Sequence, residues 1–246
     1  MFLEIKNILR KYPFIFNPIR NVYKAYFLGT SPLQKQIKEN LEHKTSVFFC
    51  QVGSNDGLHG DPIHDLITKN KIWKGIFVEP VGYLFERLKH TYGKSDRFIY
   101  ENKAIANRRD KINFYYVSNK AKSELGNALP DWYDQLGSFD KNHILKHLDG
   151  KLEPYIITEK VDTIPLQEIF KKYKVINLDL LHIDTEGYDY KILSQLDFSK
   201  YKPTLILFEH KHLSEEEKNK AISLLKLQNY KCYYHGSDTL AIFKKN

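Results

Sequence analysis

Acidic and small polar residues in this chain gather behind runs of apolar ones. Residues 47–62 read VFFCQVGSNDGLHGDP, an apolar run that breaks into Gly53, Ser54, Asn55, Asp56 and Gly57 before reaching Asp61 and Pro62. Glu79 and Pro80 close the run GIFVEP, and Asn102, Lys103 and Ala104 follow the run RFIYE. Further on, HIDTEG carries Asp184 and Glu186, and FEHKH carries Glu209, His210 and His212. Gly53 and Gly57 allow close main-chain approach to a ligand, and Asn is among the non-glycine residues most tolerant of left-handed torsions. An acid at Glu79, behind a second strand, suits a two-point grip on the ribose hydroxyls of an adenosine. Asn102, Lys103 and Ala104 would then lie against the adenine. A two-glycine loop alone is also compatible with a bare tight turn, and it is the acid at the second strand's end that favours a ligand.

These groups need elements to hold them at one edge. VFFCQV is continuously apolar, as a strand buried on both faces should be. Asp61 and Pro62 are expected to cap and open a helix over DPIHDLITKN. GIFVEP reads as the second strand, GYLFERLKHTY as an amphipathic helix and RFIYENKAIAN as a third strand entering a turn. KINFYYVS and YIITEKV are further strand candidates. Residues 119–153 between them are polar, with a short helical stretch near DWYDQLGSFDKNHILKHL. The rhythm resumes with LDLLHIDTEG, the helix DYKILSQL and the strand TLILFEH. Ser214 with Glu217 forms a capping box for one more helix, and YKCYYHG with TLAIFKK reads as a closing hairpin around Ser237 and Asp238. Alternating strands and helices give an α/β, mostly parallel, doubly wound sheet, which binds ligands at its carboxyl edge.

A dinucleotide fingerprint would place three glycines around a pyrophosphate. Here Asn55, Asp56 and Asp61 surround the loop, and carboxylates repel a diphosphate but suit a sulfonium and an ammonium. Charge therefore favours S-adenosylmethionine over a nicotinamide cofactor. The sequence resembles the FkbM-type S-adenosylmethionine-dependent methyltransferases through QVGSNDG (51–57), DP (61–62), W-x-G-x-x-V-E-P (73–80), F-x-x-L (85–88), N-x-A-I (102–105), LLHIDTEGYDYKIL (180–193) and FEH (208–210). The resemblance runs from about residue 47 to 212. It implies a Rossmann-like, seven-stranded class I methyltransferase sheet and O-methylation of a hydroxyl, often on a sugar, which points to a surface polysaccharide or its precursor. Other acceptors for the same fold are a lipid or polyketide hydroxyl, and a non-catalytic cofactor-binding module is a further alternative. Against the wider acid-x-G-x-G-x-G pattern of methyltransferases, Gln51 replaces the acid and Asn55 the middle glycine, so Asp56 or Asp184 would have to supply charge toward the cofactor's ammonium.

Methyl transfer to oxygen needs a positioned hydroxyl and a base. Asp184 is expected to touch both cofactor and acceptor, or else to cap the following helix, and Glu209 or His210 is expected to act as base. Glu186 either contacts the acceptor or braces its own loop, and His182 reads as a core histidine. Residues 119–153 are expected to cover the site, with Trp132, Tyr133 and Phe139 as flat faces for a sugar ring and His143, His147 and His212 as hydrogen-bonding partners. No metal is expected. Asp184 and Glu209 offer hard oxygens to a divalent cation but not a coordination sphere, and His143 and His147, spaced like a zinc pair, have no third ligand near them in sequence.

Of 246 residues, 42% are hydrophobic and 14% aromatic, enough for one large core and unlike a disordered chain. The net charge of +8 is uneven, because residues 1–44 hold eight Lys or Arg against three Asp or Glu. That segment, expected to be helical and broken at Pro13, Pro18 and Pro32, suits packing on the domain or a second subunit, or lying on an anionic membrane surface. The remainder, 45–246, would be the methyltransferase domain. No concentrated basic stripe points to nucleic acid, and no signal peptide or spanning segment is expected. Cys50 and Cys232 lie far apart in apolar runs, as free thiols in a reducing cytoplasm would.

Overall fold

Val47–Val52 forms strand β1 at the centre of a seven-stranded sheet. The computed structural model describes residues 31–130 and 132–244. The main sheet has the order β3-β2-β1-β7-β8-β10-β9, with β2 at Trp73–Val78, β3 at Phe98–Glu101, β7 at Leu180–Ile183, β8 at Leu205–Glu209, β9 at Tyr230–His235 and β10 at Asp238–Phe243. β1 pairs in parallel with both β2 and β7, while β10 runs antiparallel to β8 and β9. This is the expected mostly parallel sheet with an antiparallel C-terminal hairpin. Strand order reverses between β1 and β7, so the two connections diverge and leave a crevice at their carboxyl ends.

Both faces of β1 are covered, which explains its unbroken apolar run. Cys50 and Val52 join Val78, Ile183, Phe170 and Ile192 on one side. Val47 and Phe49 join Phe77, Leu180 and Leu207 on the other. That second layer includes Leu33, Ile37 and Leu41 from helix α1, Pro32–Leu41. Pro32, expected to break a helix, instead occupies the first turn of one, behind a Ser31–Gln34 capping box. Helix α1, within the segment expected as a separate extension, therefore packs into the domain's core. The helices expected around Pro13 and Pro18, and the membrane or dimer role given to that segment, fall outside the described residues.

Other boundaries shift for local reasons. Asp61 does not cap the helix after β1. Its carboxylate accepts the Ile63 amide at 2.9 Å in a turn, and helix α2 spans His64–Lys69. Helix α3 runs over Gly82–Tyr92. The third strand stops at Glu101, because the Asn102 side-chain amide donates to the Glu79 and Pro80 carbonyls at 2.8 and 3.1 Å and turns the chain away. Ala104–Ile105 (β4), Lys111–Val117 (β5) and Ile156–Ile164 (β6) then build a separate three-stranded sheet. Between β5 and β6, helices α4 (Lys120–Leu125) and α5 (Lys141–Leu145) share a small core of Val117, Leu129, Tyr133, Leu136, Ile144 and Leu152. The Arg87 guanidinium anchors this insertion to α3, donating to Asp134 and Asn119 at 3.0 Å each.

Helices α6 (Leu166–Lys172), α7 (Asp189–Leu193) and α8 (Glu215–Leu227) complete the layers, and the Ser214–Glu217 capping box forms. The final hairpin turns at Gly236 and Ser237, with Gly236 at φ +62°, so Asp238 belongs to β10 rather than to the turn. Both cysteines are free thiols. Cys50, Leu181, Ile206, Ala241 and Cys232 form one cross-strand row. That separates the two sulfurs by four strand spacings, about 19 Å, beyond the roughly 7 Å Cα reach of a disulfide. Among the described residues no helix is long and apolar enough to cross a membrane.

Candidate active site

The loop after β1 is built around one close contact. Gly53 sits at φ +77°, and a methyl group there would lie 1.7 Å from the Asp184 carbonyl oxygen, so only glycine lets the ends of β1 and β7 meet. The Gly53 and Ser54 amides both donate to the Val78 carbonyl, at 3.0 and 3.1 Å. The Ser54 hydroxyl donates to the Gln51 carbonyl and accepts from the Val78 amide, so it links β1 to β2. Asn55 adopts the expected left-handed torsion, φ +49°, and its amide donates to Glu79 Oε2 at 2.8 Å. The Val81 amide donates to Glu79 Oε1 at 2.9 Å. Burial pushes the Glu79 carboxyl up to about 7 against these two amide bonds.

A cavity of about 560 Å³ opens beside this loop. Gly53, Asn55, Glu79, Pro80, Lys103, Ala104 and Asp184 line it together with Val52, Val78, Ile105, Phe139 and Tyr188. Its mostly apolar wall with few polar groups suits a small cofactor. The remaining candidate cofactor ligands are placed elsewhere. Gln51 precedes Val52 in a strand of period two and so faces the opposite side of the sheet. There it borders a second cavity, which shares Gly53, Asn55 and Asp184 with the first and adds Ser54, Asp61 and His182. Gln51 Oε1 and His182 Nδ1 are both buried there without a hydrogen-bond partner. Asp61 is pushed up to about 6 by burial. His182 is pushed down to about 3 by burial, a neutral core histidine. Asp56 is turned into its own loop, accepting the Leu58 and His59 amides at 2.9 Å each and facing His59 Nδ1 at 2.6 Å. Gly57 abuts Tyr92 and Leu88, and Asn102 holds the β2–α3 corner, so Asp56, Gly57 and Asn102 do not line the cofactor cavity.

β7 and β8 pair with Ile183 opposite Phe208, which sets Asp184 and Glu209 side by side at the sheet's carboxyl edge. β10 places Asp238 opposite Glu209. Asp189, missed from sequence, is fully buried and ties this edge together. Its carboxylate accepts the Thr185 hydroxyl at 3.0 Å and the Glu209 amide at 3.2 Å. Its only sequence signal is an acid in the first turn of a helix. Asp184 does not cap that helix; Tyr188 is its N-cap, without a side-chain bond. Burial first, then the Glu209 and Glu186 carboxylates, hold the Asp184 carboxyl well above its ordinary range. Burial, followed by Glu186, Asp189 and Asp238, pushes Glu209 up to about 8. His210 is corrected as a candidate base. Next in the strand to Glu209, it points the other way, with Nδ1 2.9 Å from the Thr239 hydroxyl and its ring on Tyr234.

Beyond Asp184 a third cavity, of about 790 Å³, is lined by Trp132, Gln135, His147, Asp184, Glu186, Glu209, Lys211, His212 and Asp238. Asp184 and Glu186 line this cavity as well as the cofactor cavity. Glu186 does not brace its loop, a role Asp189 has. Its carboxylate lies 2.8 Å from His143 Nε2 and 3.3 Å from His212 Nε2. Two expectations about the insertion are corrected. Tyr133 is buried in the insertion's own core rather than facing an acceptor, and Phe139 lies on the cofactor cavity, edge-on to Tyr188 at 5.0 Å. Gln135 lines all three cavities and was missed, as a single glutamine in a polar stretch gives no sequence signal.

A family model described as the methyltransferase FkbM domain matches residues 51–233. The chain belongs to the FkbM methyltransferase family. No curated protein matches it. Among solved structures, the METTL16 methyltransferase domain is 10% identical, with 86% of this chain and 66% of that one covered at a TM-score of 0.45. The ribosomal protein L11 methylase of Lactobacillus delbrueckii subsp. bulgaricus is 11% identical, with 88% and 79% covered at 0.42. The Methanococcus jannaschii fibrillarin pre-rRNA processing protein is 9% identical, with 82% and 69% covered at 0.42.

The FkbM chain is thus an S-adenosylmethionine-dependent methyltransferase, and its own residues fit that cofactor. Glu79 keeps free lone pairs on both oxygens for ribose hydroxyls. Ala104 and Ile105 with Phe139 give apolar walls suited to the adenine, and Asp184 stands where a cation would be stabilised. No Lys or Arg forms an ion pair with Asp184, Glu186 or Glu209 among the described residues.

Proposed function

We propose that this chain is an O-methyltransferase whose acceptor is a sugar hydroxyl of a surface polysaccharide or its precursor. The observation that carries the reading is the shared wall at Asp184, which joins an apolar cofactor cavity to a polar one of about 790 Å³. This polar cavity presents the face of Trp132 amid Lys211, Gln135, Asp238 and Glu209. A flat apolar surface ringed by hydrogen-bonding groups suits a polyhydroxylated ring better than a lipid or polyketide chain.

When bound, S-adenosylmethionine supplies a methyl group already activated on a sulfonium. What remains for the protein is to hold one oxygen in line with it, which is worth about 7–11 kcal/mol when well oriented. Asp184 reaches both cavities and orients the hydroxyl. Glu209, with Oε2 buried and unpartnered, takes the proton. The inserted segment excludes water through Gln135 and Phe139.

The test pairs S-adenosylhomocysteine calorimetry with a mass-spectrometric search of nucleotide-sugars and oligosaccharides for an added methyl group. E209Q is expected to bind S-adenosylhomocysteine like the wild type and to lose roughly 10²–10⁴ in turnover. Cofactor binding with no methylated sugar, but with a methylated lipid or polyketide, would replace the acceptor class. Binding with no acceptor methylated at all would favour a non-catalytic module.

A further inference from the structure

His143 and His147 share one face of the inserted segment, and the fold brings the third histidine that the sequence did not place beside them. His212, from the loop after β8, sits with its ring centroid 4.8 Å from that of His143 and 5.7 Å from that of His147. Ligand-capable nitrogens of all three lie within 4.8 Å of one another. Glu186 approaches two of the three, His143 and His212, from the loop after β7, in the left-handed conformation at φ +53°.

The contacts inside this cluster are close without being hydrogen bonds. His143 Nε2 and Glu186 Oε2 stand 2.8 Å apart, yet both atoms are buried and neither is aligned with a hydrogen-bond partner. Two atoms that near, each aimed past the other, have the geometry of co-ligands. Ligands about 2.0–2.2 Å from one ion lie roughly 3.0–3.4 Å apart at adjacent positions. The 3.3 Å separation from Glu186 to His212 falls within that range, and the 2.8 Å separation to His143 lies just below it. Glu209 Oε2, the nine-tenths-buried neighbour, also lacks a partner and stands 3.8 Å from His212 Nε2 at the cluster's edge.

We propose that His143, His147, His212 and Glu186 bind one first-row divalent transition-metal ion, of the zinc type, beside the acceptor cavity. Three imidazoles and one carboxylate select such an ion over magnesium or calcium, which require oxygen-rich shells. His147, Glu186 and His212 line the acceptor cavity, so a position left open on the ion faces that space. An acceptor oxygen bound there would lose its proton more readily. This role rests on the methyltransferase reading, whereas the metal site itself does not. The ion would also tie together three segments distant in sequence, reinforcing the packing of the inserted segment on the strand ends.

The experiment uses full-length protein without a histidine tag, stripped with a chelator and dialysed. Zinc is titrated with elemental analysis, cobalt is followed by its visible absorption, and S-adenosylhomocysteine binding is measured on the same preparations. One zinc per chain is expected, with a cobalt spectrum of four- or five-coordinate type, and excess magnesium should displace neither. H143A and H212A, made separately so that a folding failure in one leaves the other to decide, should each weaken zinc binding by about 100-fold or more while still binding S-adenosylhomocysteine. No stoichiometric uptake, uptake unchanged in the folded variants, or displacement by magnesium would each overturn the site. S-adenosylhomocysteine binding without zinc uptake refutes the metal alone, and zinc uptake without S-adenosylhomocysteine binding refutes the cofactor reading alone.

Discussion

Gly53→Ala is the sharpest perturbation of the cofactor site. The added methyl would stand 1.7 Å from the Asp184 carbonyl oxygen, about 1.3 Å inside the 3.0 Å limit of real contacts, and 3.3 Å from Thr185 Cγ2. The obstacle is main chain, held by the Asp184 amide's 2.9 Å bond to the Val52 carbonyl, so no rotamer change can relieve it. Either the left-handed torsion is abandoned or the β1–β7 junction opens and that bond breaks. Left-handed strain costs about 1–2 kcal/mol, and a lost buried hydrogen bond about 1–3 kcal/mol. The variant should therefore be roughly 2–5 kcal/mol less stable in urea unfolding. Because Asn55 and Asp184 line the same cavity, S-adenosylhomocysteine affinity should fall about 100-fold or more, which corresponds to roughly 2.7 kcal/mol. Gly82, where an added methyl meets nothing within 4 Å at the start of α3, is the matched control. G82A should be neutral or stabilising by up to about 1 kcal/mol. If G53A bound S-adenosylhomocysteine within threefold of the wild type and unfolded at the same urea concentration, the close junction would not be what shapes the cavity.

Three further outcomes follow from individual residues. Glu79 is pushed up to about 7 by burial, so between its ordinary pKa and about 7 the folded chain holds a proton that the unfolded chain releases. Its contribution is present at low pH and is lost as pH rises, by about 1.4 kcal/mol per unit. E79Q should accordingly show a flatter urea-stability profile from pH 5 to 7, and parallel profiles would disprove the shift. R87A removes the bonds to Asp134 and Asn119. It should speed protease cleavage within residues 119–153, consistent with a local loss of about 1–2 kcal/mol, whereas unchanged cleavage would show the insertion is held by its own core. Cys50 is buried, with its thiol pushed up to about 12, while Cys232 is half-buried. A thiol reagent should label Cys232 in the native protein and Cys50 only on unfolding; prompt double labelling would contradict the packed β1.

How far the sequence could be read depends on how local each cause is. The runs VFFCQV, GIFV and LILFE announce buried strands because apolar patterning is a property of adjacent residues, and the Ser31 and Ser214 capping boxes are equally local. The cofactor cavity was legible for the same reason, as Gly53, Asn55, Glu79 and Ala104 sit directly at strand ends. Errors arose where one residue of offset reverses direction. His210 is a candidate base by neighbourhood, yet the two-residue period of a strand turns it away from Glu209, and the same period sets Gln51 on a cavity adjoining the one Val52 lines. Asp56 and Asp61 accept amides of their own loops, while Asn102 donates across to the β2–α3 corner, a competition that composition cannot reveal.

The part that could not be read is the part assembled over long range. His143 and His147 are close neighbours in the insertion, one in α5 and one just beyond it, but His212 lies 65 residues beyond His147, and Glu186 approaches from a different strand end. Only the sheet order, which sets β7 beside β8, brings the loops after those two strands together. The Arg87 anchor, the Gln135 side-chain bond to the His59 carbonyl and the Phe139–Tyr188 contact are among the ties that bring the insertion down onto them. The cluster is thus a tertiary property whose members each have an innocuous local reading. The same dependence gives the site its physical logic. The insertion as packed sets His143 beside Glu186 and also sets Gln135 and Phe139 against the cofactor cavity, so one segment supplies both the groups that would polarise an acceptor oxygen and those that line the cofactor.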